Sequence, residues 1–289
     1  MLPGSIQITG EALSGAEIKD ICDSLKENSV RLLSVRGCQL SDRDFGRVCR
    51  GVAESHSLAQ LNLNLGVVST IGRTKQLADA LKANRSLQTL FLHGSPLLDA
   101  GLVTLNGALS THPSLVSLDL GDCMLGDEAV RLICGMLPPD GAKSGLKELT
   151  LSANPAVSTQ GWARLAIAVA HSSQLRVLNL DYNPLGDSFH VILHALSVMP
   201  SLFLCGQVFL DMVENYPTSL RVLVLAENDI SPELQQQISD LLSEGEEEED
   251  KDGEAHGLPT QPSQWNSSSS QMVLMTSGLG ESFLAETEM

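Results

Sequence analysis

Leucine recurs in one register through this chain, with polar residues set between the leucines in a repeating order. Blocks open at Val30, Leu58, Leu87, Leu115, Leu146, Leu175 and Leu220. Three residues after each opening stand Leu33, Leu61, Leu90, Leu118, Leu149, Leu178 and Leu223. Two further on come Val35, Leu63, Leu92, Leu120, Leu151, Leu180 and Leu225. Apolar residues at alternate positions describe a short strand with one buried face. Ten residues after each opening, Leu40, Val68, Leu97, Leu125, Ala156, Leu185 and Ile230 turn the chain back beneath the strand. A partial block, Ile6 and Ile8 with Leu13, stands in front.

Between strands the period changes to that of a helix. Phe45, Val48, Cys49 and Val52 fall at i, i+3, i+4 and i+7, as do Trp162, Leu165, Ala166 and Val169, and Phe189, Ile192, Leu193 and Leu196. Start signals agree: Ser14 with Glu17 makes a capping box, and Ser231, Pro232 and Glu233 supply a cap, a first-turn proline and a first-turn acid. Eight residues after each opening lie Cys38, Gly66, Ser95, Cys123, Asn154, Asn183 and Asn228. An inward amide there can bond the backbone groups that a strand leaves behind, and a thiol is a small, weaker substitute.

The pattern L-x-x-L-x-L-x-x-N/C-x-L, repeated at intervals of 28, 29, 28, 31 and 29 residues, resembles the leucine-rich repeats of the ribonuclease-inhibitor type. Such repeats also occur in the sensor arms of NOD-like receptors and in the Ran GTPase-activating protein. The resemblance covers about residues 1–242 and implies an α/β solenoid, a right-handed horseshoe with parallel strands on the concave face and helices on the convex face. It is specific for fold and not for partner. One interval departs from the rule. Leu175 and Leu220 are 45 residues apart, short of two repeats by roughly one strand block. Residues 200–219 run from Pro200, Ser201 and Leu202 into the helical stripe Phe209, Met212, Val213 and Tyr216 without a preceding strand. That predicts a strand-deficient repeat that interrupts the inner sheet.

Composition narrows the setting. Aromatic residues make up only 3% of the chain, against 43% hydrophobic residues overall, so the core is built of leucine. The six cysteines show no C-x-x-C or Cys/His spacing and read as reduced core residues. Residues 1–10, MLPGSIQITG, lack a basic start and an apolar run, which leads to a cytoplasmic protein without a membrane span. The net charge of −17 is uneven: residues 243–289 hold 11 acids and one Lys, leaving 24 acids and 17 bases in residues 1–242. Both parts are acidic, so nucleic acid is not an expected partner. Glu244, Glu246 to Glu249, Asp250 and Asp252, followed by Pro, Gln and Ser, predict a disordered acidic tail over 243–289. Met272 to Met275, with Phe283 and Leu284, are apolar within it and read either as a docking motif or as residual composition.

Candidate chemistry is sparse. Gly141, Ala142, Lys143 and Ser144 imitate a phosphate loop, but Ala142 breaks the required Gly-Lys pair. No G-x-S-x-G elbow or H-E-x-x-H pair is present, so the chain reads as no enzyme, with no catalytic, metal or cofactor-binding residues. What remains is the face of the strands between the ladder leucines. Strands ~4.8 Å apart would bring His93 near Asp119 and Asp122, with Phe91 beside them. One His and two carboxylates on an open surface lack the enclosure of a metal or acid–base site. Phe91, His93, Asp119, Asp122, Asp181 and Tyr182 instead mix exposed aromatic anchors with acids, as protein interfaces do. The expected function is a non-catalytic interaction scaffold whose protein partner presents a basic surface with a pocket for a ring. The likeness to the Ran GTPase-activating protein, which also pairs such repeats with an acidic tail, implies the alternative of a regulator of a small GTPase or other enzyme. Inhibition of ribonucleases fits less well, since Trp162 lies in a core stripe and Trp265 in the tail.

Overall fold

Each leucine block becomes a strand of three residues, and wherever the following stretch is described the chain climbs through a turn into a helix. The computed structural model describes residues 4–139, 141–185, 220, 222–244 and 273–275. The strands are β1 (Ser5–Gln7), β2 (Leu32–Ser34), β3 (Gln60–Asn62), β4 (Thr89–Phe91), β5 (Ser117–Asp119), β6 (Glu148–Thr150), β7 (Val177–Asn179), β8 (Val222–Val224) and β9 (Val273–Met275). The helices are α1 (Gly15–Lys26), α2 (Asp42–Glu54), α3 (Ile71–Ala83), α4 (Leu98–Ser110), α5 (Asp127–Met136), α6 (Thr159–Ala170) and α7 (Pro232–Glu244). All nine described strands form one parallel sheet in sequence order. Ladder leucine faces ladder leucine at every step from β2 to β8, and these leucines are at most 2% exposed. From α1 to α6 each helix packs on its successor.

The inner half of each turn is held from one repeat to the next. The amide seven residues after each opening donates to the carbonyl of the following repeat, as in Gly37 to Asn64, Leu65 to His93, Gly94 to Gly121, Asp122 to Ser152, Ala153 to Asp181 and Tyr182 to Ala226. That bond goes with left-handed backbone. Gly37 (φ 65), Leu65 (61), Gly94 (71), Asp122 (48), Ala153 (52), Tyr182 (55) and Glu227 (52) all adopt it, and five of these are not glycine.

One residue further on, the predicted amide column forms. Asn154 Oδ1 accepts from the backbone N–H groups of Cys123 (3.2 Å) and Leu125 (3.0 Å), while its Nδ2 donates to the carbonyls of Leu120, Leu151 and Ser152. Asn183 Oδ1 accepts from Asn154 N–H, and Asn228 Oδ1 from Asn183 N–H. The thiols of Cys38 and Cys123 donate in the same column, to Ile8 O and Leu92 O. On the opposite corner runs a second column that the leucine pattern does not announce. Ser57, Ser86 and Ser114, each just before an opening leucine, donate from Oγ to the opening carbonyls of the preceding repeats, Val30, Leu58 and Leu87.

Helix starts are tied across repeats as well. The Ser14–Glu17 capping box is present. Asp99 in the first turn of α4 caps α5 by accepting from the N–H groups of Gly126 and Ala129, and Asp127 holds both the N–H and the hydroxyl of Ser158 before α6. Arg73 donates to Asp42 and to the carbonyls of Val67 and Leu40, with its guanidinium 5.4 Å from the Phe45 ring centre.

The structure departs from the sequence expectation in four places. The sheet is not interrupted after β7, because β8 pairs with it directly in the ordinary register, Leu178 opposite Leu223. The 45-residue interval is thus a single step of the sheet, and the expected strand-deficient stretch at 200–219, with the Phe189 stripe, lies outside the described residues. Ala156 is exposed, and Val157, 3% exposed, turns the chain in its place, since the repeat is one residue longer at that point. Helix α7 continues to Glu244, two residues past the expected boundary. Finally, Val273–Met275 is a strand within the stretch expected to be disordered throughout. Three apolar residues meet there the edge of a sheet whose backbone would otherwise lack partners.

Candidate protein-interaction face

A strand that ends after three residues leaves a backbone N–H without a ladder partner two residues beyond its end, and side chains supply the acceptor. Asn62 Oδ1 accepts from Asn64 N–H, Asp119 Oδ1 from Gly121 N–H and Asn179 Oδ1 from Asp181 N–H, all within the same repeat. In two other cases the acceptor comes from the preceding repeat: Asn64 Oδ1 takes His93 N–H at 2.8 Å, and Asp181 Oδ1 takes Ala226 N–H at 3.2 Å. Of the six residues named from sequence, Asp119 and Asp181 are therefore engaged in closing the turns. Their carboxylates do structural work on the same face that a partner would meet.

The predicted neighbourhood of His93 does form. His93 Nδ1 lies 3.7 Å from Asp119 Oδ1. Gly121 makes that approach possible, because a Cβ at Gly121 would run into His93 Nδ1 and Ser152 Oγ. Asp119, with help from Asp122, holds the His93 imidazolium and raises its pKa above 6.5, against the opposing effect of burial. The pair thus favours the fold below that pH, and its contribution fades as pH rises through the raised value. With the His93 side chain 39% exposed, solvent screens most of it. Phe91 ends β4 directly opposite Asp119. It is half-buried and not the exposed ring expected from its outward position, because the neighbouring strands flank it.

Asp122 and Tyr182 stand on the left-handed turns and are exposed, Tyr182 by 50%. Tyr182 and Asp181 follow β7, three strands from β4, a separation of roughly 14 Å. The six residues thus divide into a group around His93 and a pair at Tyr182. Sequence reasoning passed over Leu65, which is 49% exposed on the same kind of turn. Its side chain fills the space beside two glycines, since Cβ atoms built at Gly37 and Gly94 would lie 3.6 and 3.4 Å from it. A large apolar residue in a column otherwise given to Gly, Asp, Ala, Tyr and Glu was the available signal.

Burial raises the pKa of Asp181 from its ordinary 3.8, only partly offset by the bonds from Ala226 and Asn179. A carboxylate in this position loses stability as pH rises from 3.8 through its folded value. Asn could accept the same Ala226 N–H without the charge, as Asn64 does for His93. Asp181→Asn should therefore be at least as stable as the parent in denaturant melts at pH 7, with the difference closing toward pH 4. A less stable variant at pH 7 would mean that the charge itself is needed.

Among the described residues, no group of three or more His, Cys, Asp and Glu side chains is placed to hold a metal ion, and no helix is long and apolar enough to cross a membrane. A family model described as Leucine Rich repeat matches residues 111–134, the block that contains β5. Over their whole lengths, the chain and leucine-rich repeat-containing protein 73 of Rattus norvegicus are 66% identical, and the human protein of that name gives the same figure. The chain belongs to the leucine-rich repeat-containing protein 73 family. Both alignments run over 316 positions against 289 residues here, so the family members from rat and man carry at least 27 residues without a counterpart in this chain. A more distant similarity, 30% over 211 residues, links 72% of the chain with 19% of NACHT, LRR and PYD domains-containing protein 5 of Bos taurus.

Proposed function

We propose that the chain is a non-catalytic scaffold that receives a protein partner on the strand face and its adjoining turns. The observation that carries the reading is the division of labour on that face. Asn62, Asn64, Asp119, Asn179 and Asp181 close the backbone, whereas Tyr182, Leu65 and Asp122 are presented outward on turns bonded into the next repeat. Rigidly held aromatic and apolar side chains bind at small entropic cost. The acids among them suit a partner with a basic surface and a pocket for the Tyr182 ring. The five described cysteines are free thiols, in keeping with the reducing cytoplasm as its place of work.

The test separates recognition from folding by leaving Asp119 and Asp181 intact. A full-length Tyr182→Ala, Asp122→Ala double variant should keep the parental melt and lose about 2 kcal/mol or more of affinity for a captured partner, roughly thirtyfold in Kd. Isotopic quantification of co-purified proteins, followed by titration against the recovered partner, reads both quantities. Unchanged recovery and affinity would move the binding surface off this face.

A further inference from the structure

We infer that the exposed edge of β8 is a strand-accepting site, occupied in cis by the tail segment Val273–Met275. β9 adds to β8 in the parallel register of every earlier pair, Val222 opposite Val273, Leu223 opposite Leu274 and Val224 opposite Met275. Leu274 thereby stands at the ladder position of Leu33, Leu61, Leu90, Leu118, Leu149, Leu178 and Leu223. The match is incomplete in sequence. Counted along the sequence from Leu274, Gln271 takes the number at which repeats open with Leu or Val, Thr276 that of their next Leu or Val, and Leu279 that of Asn154, Asn183 and Asn228. β9 is a borrowed strand without the rest of a repeat.

The edge has donors aimed at an occupant. Throughout the sheet, the amide five residues after each opening donates to the following strand, as in Leu63 to Phe91, Leu92 to Asp119, Leu120 to Thr150, Leu151 to Asn179 and Leu180 to Val224. In β8 the residue at that position is Leu225, and the amide of Leu223 faces the same way by the strand's period of two. A bare row of such groups invites an extended peptide. Chain length permits the tail to reach it. The 28 residues between Glu244 and Val273 can extend to at most ~95 Å, well beyond the ~20 Å length of the 13-residue α7. Tethering of this kind holds a segment near its site at an effective concentration on the order of 1 mM. An external strand must outcompete that value, so the tail acts as a built-in competitor for partners that bind by strand addition.

Residue-resolved hydrogen exchange on the full chain tests this. In wild type the amides of Leu223 and Leu225 should be protected. Met275→Pro, which removes an N–H from β9, should lower their protection at least tenfold and leave Leu118 and Leu120 unchanged, while Asn266→Pro in the connecting stretch should change none of them. A synthetic peptide of residues 269–279 at about 1 mM should restore protection in the Met275→Pro chain, and a scrambled peptide should not. Equal protection in wild type and Met275→Pro, or no restoration by the peptide, overturns the inference. Protection of the wild type that vanishes on tenfold dilution places the tail of a second copy there and overturns the in-cis assignment.

Discussion

Asn154→Ala should lower the free energy of unfolding by about 4 kcal/mol, the largest single effect expected from a polar residue in this chain. Its side chain is fully buried and makes five hydrogen bonds that join two repeats. Removal orphans the N–H groups of Cys123 and Leu125, and each buried group left unpaired costs roughly 1–3 kcal/mol. Asn154→Asp keeps an acceptor but loses both donors and buries a charge, so it should be no better than Ala. Denaturant melts give the loss. Hydrogen exchange should show it concentrated at the turns after β5 and β6, because a repeat array couples only neighbours. A cost below about 1 kcal/mol for Asn154→Ala would show that the column is decorative.

The second large effect comes from Trp162, which is 0% exposed on α6. Trp162→Ala should cost about 4 kcal/mol, as deletion of a large buried ring does. Trp162→Phe should change stability by no more than about 1.5 kcal/mol. The reason is that the indole Nε1 has no hydrogen-bond partner among the described residues, and Phe removes the unpaired donor along with part of the ring. The two opposing contributions nearly cancel. Melting the pair of variants decides between ring volume and a hidden hydrogen bond, since a Phe variant as weak as the Ala variant requires the latter.

The strands were legible because a solenoid writes its period into covalent spacing. Every ladder leucine from Leu33 to Leu223 lies where the pattern placed it, buried and in register. The continuity of the sheet across the interval from Leu175 to Leu220 was not legible, because residue counts do not say whether extra chain lies inside the sheet or outside it. Sheet continuity is set by the pairing of Leu178 with Leu223 and by the bond from Asn183 N–H to Asn228. The roles of Asp119 and Asp181 were hidden for a different reason. Alternation says that they point away from the core, and they do lie off the leucine face, yet it does not say that the strand stops one residue after the ladder leucine and leaves an N–H to be satisfied. The serine column was written plainly as Ser-Leu at 57–58, 86–87 and 114–115. It carries no distinct signal, because Ser before an apolar residue is commonplace.

The bonds that run from each repeat only to the next also make the molecule a set of mechanical links in series. A pull along the stacking direction loads every link equally, so the weakest yields first and frees its own length of chain before the next is strained. An ordinary repeat of 28–31 residues releases about 100 Å of contour, whereas the 45-residue step between Leu175 and Leu220 releases about 150 Å. The sheet is uniform in register, but as a tether it is uneven, with its longest covalent interval between β7 and β8.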